Sequence, residues 1–304
     1  MKRFLFFLTF VLFFSCEPST ENNERSSGLL AVNGTTLYHQ NVGDGKPLLI
    51  IHGGPGLSHD YLVSGMQSLS NSLQLIMYDQ RGSGRSALDV DPSSMTISSF
   101  VSDIDAIRQQ FDIDRLNILA HSWGGLLAMH YAIAYPDKLE NLVLVNSINA
   151  NPSFDAESNR ILADRLTEQD NAQRTSIFQT EAFQRRDPQS IETLMKIGFK
   201  HQFYDKTFLD SLDLHITDSY SKSSELLQHL GPELSNYDLH QNLSVLEIPT
   251  LLIYGSFDPL SNVAAHRLNE TFQNSELVIL PNCGHFPFIE CNDAFTAEVL
   301  NFLH

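Results

Sequence analysis

Between residues 47 and 145 the chain alternates short apolar runs with amphipathic stretches. The runs at 47–52 (PLLIIH), 73–78 (LQLIMY), 116–120 (LNILA) and 142–145 are too short for buried helices and lack polar alternation. They predict strands covered on both faces. Residues 58–70 and 126–132 read as helices, and so do residues 96–111. In that last stretch Ile97, Phe100, Val101, Ile104, Ile107 and Phe111 recur at helical spacing. Upstream, residues 29–42 set Asn33-Gly34 between two extended runs, the signature of a hairpin. The rhythm stops at residue 151. Residues 151–240 are polar, helical in pattern and broken at Pro188 and Gly231-Pro232. It resumes with a strand at 249–255, a helix at 261–273, a strand at 276–280 and a helix at 292–303. The pattern predicts a parallel sheet with helices on both faces, built from residues 29–150 and 241–304. The helical insert at 151–240 is expected to act as a lid, because ligands bind beyond the carboxyl ends of parallel strands.

Composition narrows the class. Hydrophobic residues make up 42% of 304, enough for a sizeable core. Nineteen Lys and Arg against 36 Asp and Glu give a net charge of −17, which argues against a nucleic-acid partner. The first residues stand apart. Lys2 and Arg3 precede an apolar run at 4–14 that is too short to span a bilayer, and Ser15-Cys16 and a polar stretch follow. Residues 1–15 read as a secretory signal peptide of lipoprotein type, with Cys16 lipidated and 16–28 a linker. The expected location is exported, held to a membrane only through that anchor, in the periplasm or cell envelope. Ordinary secretion is the alternative. Cys283 and Cys291, eight positions apart, are compatible with a disulfide or with two free thiols. Neither has a metal-ligand spacing to another Cys or His. Oligomeric state has no signature in the sequence.

The run at 116–120 ends in His121-Ser122-Trp123-Gly124-Gly125, with a helical pattern directly after it. A strand that turns at once into a helix bends sharply and projects the apical side chain from the top of the sheet. Small residues on either side prevent clashes. This is the nucleophile elbow G-x-S-x-G, here with Ala120 in place of the first glycine. A serine hydroxyl needs a base, oriented in turn by an acid. On that fold the acid and the histidine follow the serine in order, at the ends of later strands. Asp258 follows the run LLIYGSF and His285 follows ILPNCG, so Ser122, Asp258 and His285 form the candidate catalytic set. An Asp-Pro turn is the plainer reading of Asp258. His121 is the rival base, but its place in the elbow points it away from Ser122. An oxyanion needs two preorganised N–H donors. These are expected from Trp123, after the nucleophile, and from Gly54 in the loop HGGPG at 52–56, with Gly53 as second choice.

Taken together, HGGPG, DQRGSGRS at 79–86, HSWGG at 121–125 and GHFPFIE at 284–290 resemble the α/β-hydrolase superfamily and, within it, proline iminopeptidase-like serine hydrolases. The resemblance covers about residues 29–147 and 245–303. It implies a mostly parallel eight-stranded sheet with helices on both faces and an inserted helical lid. It also implies acyl transfer to water through an acyl-serine, without metal or organic cofactor, on a small-molecule or short-peptide substrate. Family lids carry carboxylates that grip a substrate's free amine. One precedes a segment resembling HYF-x-N-x-x-FL, and the nearest stretch here, 199–209, begins with Phe199 where the family has glutamate. Glu192 and Glu225 are the candidate substitutes, each of which also reads as a solvated helix residue. The leading expectation is cleavage of small amides or peptide N-termini. A carboxylesterase or lactone hydrolase is the alternative, and a non-catalytic ligand-binding receptor the remote one. Fold relatives that attack with a carboxylate are set aside, because position 122 is serine.

Overall fold

The computed structural model describes residues 25–260 and 263–304. The proposed signal segment and Cys16 lie outside the described residues. The chain opens with strands β1 (Arg25–Val32), β2 (Thr35–Val42) and β3 (Lys46–Ile51), followed by helix α1 (Asp60–Met66). Next come β4 (Leu73–Tyr78), α2 (Ile97–Gln110), β5 (Leu116–His121), α3 (Trp123–Ala134) and β6 (Leu139–Val145). The insert holds α4 (Asp155–Arg165), α5 (Glu168–Phe178), α6 (Glu181–Gln184), α7 (Pro188–Phe199), α8 (Ser219–Leu227), α9 (Gly231–Leu234) and α10 (His240–Leu243). β7 (Thr250–Gly255), α11 (Val263–Thr271), β8 (Ser275–Leu280), α12 (Pro287–Glu290) and α13 (Asn292–Leu303) close the chain. Among the described residues no helix is long and apolar enough to cross a membrane.

The eight strands form one sheet in the order β1-β2-β4-β3-β5-β6-β7-β8. β1–β2 and β2–β4 run antiparallel, and every other pairing is parallel. The hairpin turns at Asn33-Gly34 as the sequence predicts, but β1 starts at Arg25, inside the stretch read as linker. Arg25 pairs with Val42, and the first three side chains of β1 are exposed. An edge strand stabilised by main-chain pairing needs no apolar alternation to mark it, so a polar stretch can extend it.

The central strands are apolar throughout because each face meets helices. In β3 successive side chains go to opposite sides. Leu49 and Ile51 join a core built with α2, α3 and α11, while Leu48 and Ile50 join one built with α1 and α13. All four are fully buried. The register aligns His121 with Val145 and Val145 with Ile253. The residues leaving β5, β6 and β7 therefore emerge side by side at one carboxyl edge.

Candidate active site

Ser122 stands between the last residue of β5 and the first of α3. Its backbone has φ 52° and ψ −120°, a strained conformation for a residue with a Cβ. The bend is held from both sides. The Ser122 N–H donates to the Val145 carbonyl at 3.0 Å, and the Ser122 carbonyl accepts from Gly125 and Ile148 at 2.9 and 3.2 Å. Close approach explains the small neighbours. A Cβ at Gly124 would lie 2.5 Å from the Ile51 carbonyl oxygen, and one at Gly53 would lie 2.8 Å from the Ser122 Cβ. Ala120 is fully buried in the core beneath, so its methyl takes the place of the first glycine without obstruction. Trp123 starts the helix, where an N–H has no acceptor within the helix and the dipole favours negative charge.

The structure brings the three sequence-predicted side chains together. His285 Nε2 lies 3.1 Å from Ser122 Oγ, and its Nδ1 lies 3.2 and 3.1 Å from the two oxygens of Asp258. The carboxylate only accepts, so the ring proton sits on Nδ1 and the Nε2 lone pair faces the hydroxyl. Asp258 is 2% exposed and is held by more than the histidine. Leu260 N–H donates to Oδ1 at 3.1 Å, and the Asn146 side-chain amide donates to Oδ2. Asn146 leaves β6 just as Ser122 leaves β5, with its N–H on the Ile253 carbonyl at 2.8 Å. The sequence reading missed it, although a polar residue shortly after a buried strand at the carboxyl edge was the signal that found Asp258.

The HGGPG loop folds against the elbow. The Gly53 N–H donates to Tyr61 Oη at 2.6 Å, so the second-choice donor is already engaged and Gly54, at φ +56°, is the one left for a substrate oxygen. Gln80 is the cross-piece beneath. Its side-chain amide donates to the His52 carbonyl at 2.7 Å, and its Oε1 accepts from Trp123 Nε1 at 2.9 Å. The rest of DQRGSGRS is anchored by ions. Asp79 accepts from His59 N–H and Nδ1 and from Arg85 N–H; burial raises its pKa, but these bonds outweigh it and hold the carboxyl below its usual range. Arg81 forks onto Asp103 with two 2.7 Å bonds, both side chains buried. His121 turns away from Ser122, as expected. It contacts Tyr61 and the His285 carbonyl, and burial first, then the neighbouring His285, holds its pKa well below the usual value.

The insert covers this edge. Leu227 and Tyr220 of α8 face Gly56, where an added Cβ would lie 3.0 and 3.6 Å from them. The Phe199 ring packs edge-on against Phe286 at 5.5 Å, and Phe286 packs against His285 at 5.1 Å. The residue at the position where the family resemblance expects a carboxylate is thus an aromatic ring packed on Phe286, which in turn contacts the candidate base. Neither substitute supplies one: Glu225 is exposed, and Glu192 is paired with Lys196 at 3.0 Å. A cavity of about 500 Å³ opens between α6, α7 and α8, walled by Phe183, Ile191, Leu194, Met195 and Tyr220. Arg186 is the charged residue of its lining. Cys283 and Cys291 form a disulfide across 6.2 Å between Cα atoms, closing the loop that carries His285. Among the described residues no group of three or more His, Cys, Asp and Glu side chains is placed to hold a metal ion.

Comparison with known proteins agrees with this architecture. Residues 46–291 match the family pattern of the alpha/beta hydrolase fold. A proline iminopeptidase of Saccharolobus solfataricus is 28% identical over 295 residues, covering 91% of each chain. Among solved structures, proline iminopeptidase from Mycobacterium smegmatis superposes with a TM-score of 0.67 at 20% identity, covering 92% of this chain and 98% of that one. The enol-lactonase from Burkholderia xenovorans superposes at 0.62 and 23% identity, covering 91% and 99%. At those identities the structural likeness is one of fold.

Proposed function

The chain belongs to the α/β hydrolase fold family, and on that premise we propose that it is a serine hydrolase working through an acyl-serine intermediate. The observation that carries this is the 3.1 Å approach of Ser122 Oγ to His285 Nε2, with Nδ1 seated on Asp258. Ser122 gives its proton to Nε2 as Oγ attacks the acyl carbon. The oxyanion that forms is held by the N–H groups of Gly54 and Trp123, and Asp258 balances the imidazolium. His285 then returns the proton to the leaving group. Water repeats the sequence on the acyl-serine and frees the acid. Replacing Ser122 or His285 by Ala should lower kcat by at least about 10⁴-fold, with the circular dichroism spectrum unchanged. A fluorophosphonate should label the wild type at Ser122 and leave Ser122→Ala unlabelled. Substantial turnover by pure Ser122→Ala would refute the assignment.

The sequence relatives named proline iminopeptidases favour release of an N-terminal residue from small amides or peptides. The lid chemistry favours a second reading, hydrolysis of small carboxylic esters or lactones. Phe199 stands at the sequence position where the resemblance expects glutamate, and the cavity between α6, α7 and α8 offers apolar walls and a cation rather than a carboxylate. A lining without a carboxylate leaves a substrate ammonium group without a counter-charge. Rates on a proline arylamide and on a short-chain aryl ester distinguish the two. We also infer export with lipidation at Cys16, a reading supported by the disulfide, since such bonds persist in oxidising compartments.

A further inference from the structure

We propose that Tyr61 and His121 form a positioning bridge that keeps the oxyanion loop and the general base in one register. The inference rests on the reading of Ser122 as nucleophile and His285 as base. Tyr61 projects from the first turn of α1 and is 2% exposed, and His121, the last residue of β5, is equally enclosed. Tyr61 Oη receives the Gly53 N–H at 2.6 Å and lies 2.8 Å from His121 Nδ1. His121 Nε2 lies 2.9 Å from the His285 carbonyl oxygen.

The protons on this chain are fixed by elimination. A carbonyl only accepts, so Nε2 carries hydrogen and donates to His285. A ring this deeply buried is neutral, so Nδ1 is left with its lone pair. The Gly53 amide only donates. Tyr61 must therefore accept from Gly53 and give its own hydrogen to His121. One directional chain runs from Gly53 N–H through the Tyr61 hydroxyl to the His121 ring, and from that ring to the His285 carbonyl. In a low-dielectric interior such linked bonds strengthen one another.

Its ends are the working parts. Gly53 precedes the candidate donor Gly54, His121 is bonded to Ser122, and His285 is the base. The far side of His285 is fixed as well, with its N–H on the Gln202 carbonyl at 2.8 Å. Rings fill the space around the bridge. Phe288 packs edge-on against His121 at 5.0 Å and lies 6.1 Å from Tyr61, so no solvent is at hand to replace a lost bond. The bridge touches no reacting atom, and its effect is to place donor, nucleophile and base together.

Tyr61→Phe deletes one oxygen and keeps the ring. The assay is inactivation by a fluorophosphonate, in which Ser122 Oγ bonds to phosphorus, fluoride leaves and the hydroxyl proton passes to His285. The maximal inactivation rate should fall about tenfold, a fraction of what losing a whole oxyanion donor costs, while the half-saturating concentration stays within about twofold. His121→Phe should fall similarly. His121→Gln should recover most of the rate, since its amide offers an N–H to His285 and an oxygen to Tyr61. The double variant Tyr61→Phe/His121→Phe should be no slower than the slower single variant, because one bridge breaks once. A wild-type maximal rate in Tyr61→Phe, or a change confined to half-saturation, overturns the bridge. Absence of labelling in the wild type would instead remove the catalytic reading beneath it.

Discussion

His52 opens the oxyanion loop, and lowering the pH tests how it is held. The ring is wholly enclosed, with Nε2 accepting the Gln80 N–H at 3.2 Å and Nδ1 2.8 Å from the Gly53 carbonyl. Only the neutral Nδ1–H form satisfies both contacts. A second proton would set N–H against N–H. Burial, partly opposed by the Asp79 charge, lowers the pKa to about 4, against about 6.5 in the unfolded chain. Between those values the unfolded chain binds a proton that the folded chain refuses, so stability falls as the pH falls through that window. From pH 7 to pH 5 this ring accounts for a loss of about 2 kcal/mol. His121, held well below its usual value by burial and the neighbouring His285, adds a loss of the same sign. Even the His52 part alone is a sizeable share of an ordinary folding free energy of about 5–15 kcal/mol. Asp79, whose carboxyl is held down, does not enter the window because even its unfolded form titrates near 3.8. Urea denaturation at pH 7, 6 and 5 measures the loss. His52→Gln keeps an acceptor for Gln80 and a donor for Gly53 but cannot be protonated. Its loss should be smaller than that of the wild type by about 2 kcal/mol, and other titrating groups cancel in the difference. Equal losses in the two proteins would refute a buried neutral imidazole at position 52.

Two further outcomes are expected. Cys291→Ala opens the disulfide that closes an eight-residue span around His285. Loop-closure entropy sets the cost at about 2–3 kcal/mol, measured by urea denaturation of the variant against the wild type, and a loss below about 0.5 kcal/mol would mean the bond contributes nothing. In cells fed a labelled fatty acid, the full chain should carry the label and Cys16→Ser should not; label persisting in Cys16→Ser would reject the anchor.

Much of the fold was legible because its central strands are buried on both faces, which leaves unbroken apolar runs with glycine-rich ends. Ser122, Asp258 and His285 were legible for a related reason: each follows such a run, so the sheet's own geometry carries it to the carboxyl edge. Tyr61 was not, because inside a helix with one buried face a tyrosine looks like any other core aromatic. Its hydroxyl matters only through Gly53 and His121, which topology and not spacing brings near it. DQRGSGRS stood out as a motif, yet the work of Gln80 beneath Trp123 is a tertiary contact that no local pattern announces. The start of β1 at Arg25 was hidden because an edge strand with exposed side chains lacks apolar alternation. The plainer reading of Glu192 and Glu225 as helix-surface residues fits the fold, which sets one against Lys196 and the other in solvent.

The insert is not a uniform flap over the site. Its segment at 200–203 is tied to the machinery. The Gln202 carbonyl accepts the His285 N–H, Phe203 stacks on Phe286 at 4.8 Å, and Arg165 donates to the His201 carbonyl at 3.0 Å while lying 3.8 Å over the Phe257 ring. Asp170 holds His201 Nε2 at 2.8 Å and also binds Lys200. Moving this segment would strip a hydrogen bond from the main chain of the base, so it belongs with the fixed frame. The facing sides of α6, α7 and α8 are different in kind. They surround empty volume rather than core, and α8 reaches the HGGPG loop at Gly56. The cavity lining holds none of Ser122, His285, Asp258 or Gly54, so substitutions along it should leave the Ser122–His285–Asp258 geometry undisturbed. A family resemblance carried by the sheet-edge motifs therefore speaks to the geometry at the strand ends and not to the insert, because the motifs and the cavity are separate surfaces, with α8 adjoining both.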